Sequence, residues 1–183
     1  MITITQTNLH NLWVEDRELQ NKAFSYILDV TDKPVDWAYE AWDEVIENLT
    51  DKDNHNRAIA AQILCNLAKS DPKNRILKDF DRLLEVTKDE RFVTARHSMQ
   101  ALWKVGISGE KQKKMYLEGL MGRFKECSKE KNSTLIRYDI LQSFRNVYDA
   151  IRDEKIKEKA LALIESEKDL KYRKKYATLW KSK

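Results

Sequence analysis

Apolar residues recur along this chain at the three- and four-residue steps of a helix, not in the alternation of a strand. Ala38, Ala41, Trp42, Val45, Ile46 and Leu49 form one such set, and Ile76, Leu77, Phe80, Leu83 and Leu84 another; each falls on one face of an amphipathic helix. Start signals precede these runs. Asp32-Lys33-Pro34 and Asp71-Pro72 open the two segments just named, and Asp53, Asp89, Ser108 and Asn132-Ser133 offer further N-caps. Gly106 is placed to close the helix that begins near Asp89. The spacing predicts about nine helices, near 8–29, 34–49, 54–69, 72–87, 90–105, 109–128, 133–150, 153–165 and 169–181. Alternation of strand type occurs only in Met1 to Thr5, which reads as a frayed terminus. Linkers are short, so residues 1–183 read as a single continuous domain.

The helices also repeat. Arg17, Arg57, Arg96, Arg137 and Arg173 are spaced by 40, 39, 41 and 36 residues, and seven positions beyond them stand Phe24, Leu64, Trp103, Phe144 and Trp180. A period of about 40 residues holding two helices is the signature of a stacked α-solenoid, in which each repeat needs its neighbour to bury its apolar face. The segments Arg57–Ala68, Leu135–Phe144 and Tyr172–Trp180 resemble the second helix of HEAT repeats. Asp53, Asp89, Asn132 and Asp169 match that family's Asp or Asn ahead of the Arg. The resemblance covers most of the chain and is weakest over residues 1–30. It implies an all-α, right-handed α-solenoid of four to five antiparallel helix pairs. It also implies that Arg57, Arg96, Arg137 and Arg173 form a structural ladder between repeats, and that the second helices line a concave face.

Composition narrows the rest. Four Gly and two Pro leave little turn chemistry for many short strands, and no stretch approaches the roughly 20 apolar residues of a membrane-spanning helix. Segment 153–165 is amphipathic, but Ile156, Ala160, Leu161, Leu163 and Ile164 suit a core better than a membrane surface. Met1 to Gln20 lacks the basic start and apolar run of a secretory signal. With Cys65 and Cys127 read as unpaired thiols, a reduced cytoplasmic protein is expected.

Catalytic and metal motifs are missing from the sequence. His10, His55 and His97 are isolated, and there is no Cys-x-x-Cys, His-Glu-x-x-His, P-loop or Gly-x-Ser-x-Gly. The expectation is a protein without catalytic residues, metal or cofactor. Of the five tryptophans, Trp42, Trp103 and Trp180 fall on apolar helical positions and read as core, whereas Trp37 is the best candidate for an exposed aromatic contact.

Two partner readings stay open. Projecting the repeat places Gln62, Gln100 and Gln142 in one polar row and Asn66, Lys104 and Asn146 in another, on the solvent side of the second helices. Amides offer a donor and an acceptor each, which suits an extended peptide, and a protein or peptide partner is the first reading. The alternative is nucleic acid. Residues 1–110 hold 14 Lys/Arg against 19 Asp/Glu, and residues 111–183 hold 20 against 11. In the basic part Lys171, Arg173, Lys174, Lys175 and Tyr176 interleave cations with an aromatic, as phosphate-tracking and base-stacking surfaces do. DNA alkylation-repair glycosylases use a HEAT-like fold with Trp, Asp and Arg gathered in a cleft. Asp139 and Arg173 are spaced for part of that set, but Leu135 stands where the Trp would be expected.

Overall fold

A computed structural model describes residues 3–181. Its regular elements are α-helices and short 3₁₀ turns, and no strand occurs among the described residues. The fold is all-α and solenoid-like, and the chain divides into two compact units, residues 1–101 and 102–183.

The first unit holds α1 (Ile4–Asn11), α2 (Arg17–Val30), α3 (Ala38–Asn48), α4 (Asn54–Leu67), α5 (Ile76–Val86) and α6 (Phe92–Ala101). Helix α1 packs on α2, α3 on α4, α4 on α5 and α5 on α6, and α2, α4 and α6, one repeat apart, pack in turn. Helix α4 is the centre of this arrangement. Ala58 to Ala61, Ile63 to Leu67 and Ala68 are all buried, because neighbours cover it on nearly every side. The small side chains at Ala58, Ala60 and Ala61 let those neighbours approach. Trp42 of α3 is fully buried and donates its Nε1–H to Asp79 of α5 at 2.9 Å.

The second unit holds α7 (Trp103–Gly106), α8 (Glu110–Glu126), α9 (Ser133–Ile151), α10 (Glu154–Ser166) and α11 (Leu170–Ala177). Helix α9 is its spine, packing against all four others. Ile136, Ile140, Leu141, Phe144 and Val147 supply the buried stripe. Tyr116 of α8 is fully buried, its ring 5.7 Å from that of Phe144 and its hydroxyl 2.6 Å from Ser143 Oγ. Arg123 is also buried, and two of its nitrogens donate to Glu130 at 2.6 and 2.8 Å. A methyl group at Gly106 would stand 2.9 Å from Tyr116 Cδ1 and 3.0 Å from Val147 Cγ2. Gly106→Ala is therefore expected to destabilise by about 1–2 kcal/mol despite its gain in helix propensity, read as a lower urea midpoint.

Several predicted boundaries move. The first predicted helix is two, separated by a turn at Leu12–Asp16, where the Asp16 carboxylate caps α2 through the N–H groups of Glu18 and Leu19. Met1 and Ile2 lie outside the described residues. Thr3 is not frayed: it opens α1 through a reciprocal capping box with Gln6. Asp71 caps a helix that starts at Ile76, its carboxylate accepting from the Arg75 and Ile76 N–H groups. The residues between form a turn in which Asn74 has φ 54°. The segment predicted at 90–105 is divided at Leu102, where the backbone tightens and Val105 N donates to Leu102 O at 3.0 Å. Asp53, Asp153 and Asp169 cap α4, α10 and α11 through their side chains.

Candidate binding surfaces

The arginine anchors are tied into packing. Arg57 reaches from α4 to Asp89 with two hydrogen bonds, Nε at 2.5 Å and Nη2 at 2.9 Å, and its third nitrogen donates to the Asp51 and Lys52 carbonyls. Burial alone would push the Asp89 carboxyl up. The Arg57 guanidinium and the Arg91 N–H outweigh it and hold Asp89 below the usual carboxylate range. Arg17 makes the equivalent pair with Asp53 one repeat earlier. Arg137 donates to Glu167 at 2.7 Å and to the Phe124 carbonyl at 3.1 Å. Arg173 donates to the Glu167 carbonyl through two nitrogens. Arg96 is half-buried on α6.

The polar rows are less uniform than their spacing. Gln100 is exposed and Lys104 half-buried. Gln62 turns back on its own helix, donating to the Ala58 carbonyl at 3.0 Å. Asn66 is not on the solvent side. It is buried and donates to the Leu28 carbonyl and to Thr31 Oγ1, at 3.3 and 3.0 Å. The physical reason is that Leu28 and Thr31 of the preceding repeat present polar atoms to α4, and an amide there satisfies them inside the packing. Gln142 and Asn146 are both half-exposed on α9 and bonded to each other, Nε2 to Oδ1 at 2.9 Å. Along the same side of α9 lie Tyr138, Arg145 and Asp149, three or four residues apart.

The basic segment is also divided. Lys171, Lys174 and Lys175 are exposed, with Lys171 Nζ over the Tyr172 ring and Lys175 Nζ over the Tyr138 ring, at 5.7 and 5.4 Å. Tyr176 cannot stack on a base. It is fully buried, its hydroxyl donating to the Thr134 carbonyl at 3.0 Å, and burial pushes that hydroxyl well above its ordinary range. Tyr176 supplies the one large apolar group that seats α11 on the unit, which is why it points inward. Asp139 is buried as well.

Two features escape a reading of periodicity. Trp180 is not core: its ring lies 5.6 Å from Tyr148 and under the Arg145 guanidinium, which also donates to the Leu179 carbonyl. Trp37 is half-buried and forms a wall of a cavity of about 300 Å³ with Thr5, Gln6, Leu9, Asp36 and Glu40. That Trp37 stands apart from the core could be suspected from the sequence, whereas its cavity is completed by Thr5, Gln6 and Leu9 of α1. No group of three or more His, Cys, Asp or Glu is placed to hold a metal among the described residues. Both cysteines are buried and share no disulfide, and burial pushes the Cys127 thiol up. No described helix is long and apolar enough to cross a membrane.

No protein-family model matches this chain, and no curated protein matches it. Solved structures do. Three crystal structures of engineered proteins from the Northeast Structural Genomics Consortium are similar to it in fold. One has a TM-score of 0.56 at 15% identity, over 97% of this chain and 87% of the other. A second has a TM-score of 0.55 at 13% identity, covering 97% and 94%. The third has a TM-score of 0.53 at 13% identity, with 87% of this chain spanning 46% of that one. At such identities the likeness carries the helical fold alone.

Proposed function

We propose that this protein is a non-enzymatic, HEAT-like binding module that recognises an extended segment of a protein partner. The observation that carries the reading is the Gln142–Asn146 pair. Their mutual hydrogen bond fixes both amides and leaves Gln142 Oε1 to accept and Asn146 Nδ2 to donate. One acceptor and one donor, side by side on a helix, match the N–H and C=O of one residue in an extended peptide. Tyr138, with Lys175 over its ring, and Arg145, held in place by Asp149 and the Leu179 carbonyl, flank the pair; Tyr and Arg are residue types that dominate binding energy at protein interfaces. The anchors Arg57 and Arg137 serve packing in this reading.

A random-peptide display selection against the purified protein tests it. Selected peptides are expected to lose about tenfold or more in affinity for Gln142→Ala/Asn146→Ala, since each lost hydrogen bond costs roughly 1 kcal/mol, while the melting temperature stays put. Peptides that bind both proteins equally would remove α9 from the account. A nucleic-acid reading rests on a different observation. Residues 102–183 carry 21 Lys/Arg against 12 Asp/Glu, and Lys171, Lys174 and Lys175 stand exposed among them. Burial of Tyr176 takes away its stacking platform and leaves a salt-sensitive phosphate surface.

A further inference from the structure

The cavity beside Trp37 is chemically distinct from the α9 stripe and belongs to the other unit. We infer that it is a site for the cationic side chain of a lysine or arginine on a basic peptide. Its floor and walls combine one aromatic face, Trp37, with two carboxylates, Asp36 and Glu40, and an apolar side, Leu9. Among the described residues neither carboxylate has an ion-pair or hydrogen-bond partner for its side chain. That contrasts with the other acids of this unit at helix starts. Asp16, Asp53, Asp71 and Asp89 all accept from backbone N–H groups, whereas α3 begins with no side-chain cap.

The ordinary account of two acids at a helix start is that they offset the helix dipole. The dipole contributes roughly half a positive charge, so about one and a half negative charges remain beside the indole. At the α1 start two backbone donors are used, the Thr3 N–H by Gln6 Oε1 and the Gln6 N–H by Thr3 Oγ1, and the roughly half positive charge of that helix end still leaves the site about one negative charge. Thr5 Oγ1 lies 3.3 Å from the Tyr26 hydroxyl. A volume of about 300 Å³ is at the lower end of ligand cavities and suits one side chain rather than a nucleotide or cofactor. An aromatic face with flanking carboxylates attracts an organic cation through the ring quadrupole and through charge, and its methylene stem packs on the Leu9 side. Residues 1–101 carry 13 Lys/Arg against 18 Asp/Glu, which favours the approach of a basic partner.

The test uses the whole protein with ¹⁵N-labelled tryptophan, the Trp37 indole signal being assigned with Trp37→Phe. Nα-acetyl-lysine methylamide and Nα-acetyl-arginine methylamide are titrated in low salt, with Nα-acetyl-norleucine methylamide as the uncharged control. The Trp37 signal should shift and saturate with the cations, at a dissociation constant on the order of 1 mM for so small a probe, and should not move with norleucine. Asp36→Asn/Glu40→Gln should weaken the cations about tenfold with the melting temperature unchanged. No saturable shift, an equal shift with norleucine, or indifference to the double substitution would each overturn the assignment. None of these results depends on Gln142 or Asn146, so this site and the α9 reading can fail separately.

Discussion

Trp42→Ala should be among the most damaging single substitutions in this protein, costing about 4 kcal/mol. The side chain is fully buried, and truncating a buried tryptophan removes its transfer free energy and opens a cavity the surrounding helices cannot fill, for roughly 3–5 kcal/mol. It also orphans Asp79, which is 8% exposed and accepts the indole N–H at 2.9 Å. Trp42→Phe separates the two effects. It keeps most of the ring and loses the donor, so it should cost about 1–3 kcal/mol, the range for a buried polar group left unsatisfied. Since domains of this kind are stable by only about 5–15 kcal/mol, the alanine variant should unfold at markedly lower urea than the phenylalanine one. Equal midpoints for the two variants would mean that Trp42 contributes little beyond its hydrogen bond.

The second large effect concerns the pair that joins α4 to the start of the next repeat. Asp89→Ala leaves the Arg57 guanidinium, whose side chain is 15% exposed, without its carboxylate. Breaking a buried pair from one side costs about 3–5 kcal/mol. The lower end is expected because Arg57 keeps the Asp51 and Lys52 carbonyls. Asp43→Ala is the matching control. It removes the partner of Arg75, but Asp43 is 78% exposed, and an exposed pair contributes well under 1 kcal/mol. The pH dependence has a definite sign. Asp89 and Asp53 both titrate lower in the fold than in the unfolded chain, Asp53 at about 2. Their contribution is therefore present above about pH 4 and lost as pH falls toward 2. Acid unfolding of wild type should steepen in that window, and Asp89→Ala should flatten part of the slope.

What the sequence made legible was the layout of helices, because the three- and four-residue rhythm is imposed by burial along each element. The recurrence of Arg17, Arg57 and Arg137 was visible for a related reason. A pair that reaches into the next repeat, such as Arg57 to Asp89, must recur with the repeat. Positions whose environment comes from distant residues were not legible. Asn66 has the spacing of a surface row, yet Leu28 and Thr31 supply it with partners inside the packing. Tyr176 sits among lysines in sequence, but only its ring can anchor the short helix α11. Trp180 follows the core rhythm and is still only half-buried, beside Tyr148 and Arg145, since the α-helix gives way to a 3₁₀ turn at Thr178, which changes the register. Trp37 stood out as an aromatic off the pattern, while the cavity it borders depends on α1, whose start at Thr3 rests on a capping box and not on hydrophobic period.

The proposal that this is a peptide-binding module, and not a nucleic-acid-binding one, comes to a single competition. A labelled peptide from the display selection is held on the protein at physiological salt, and duplex or single-stranded DNA is added in excess, beside a Lys171→Glu/Lys174→Glu variant that leaves Lys175 on the Tyr138 ring. The account predicts that the peptide stays bound. DNA should associate only at low salt, as expected when a few phosphate contacts supply the binding, and charge reversal should leave peptide affinity unchanged. DNA that displaces the peptide at physiological salt, with an affinity that collapses on charge reversal, would contradict the account and make phosphate recognition by α11 the function to pursue.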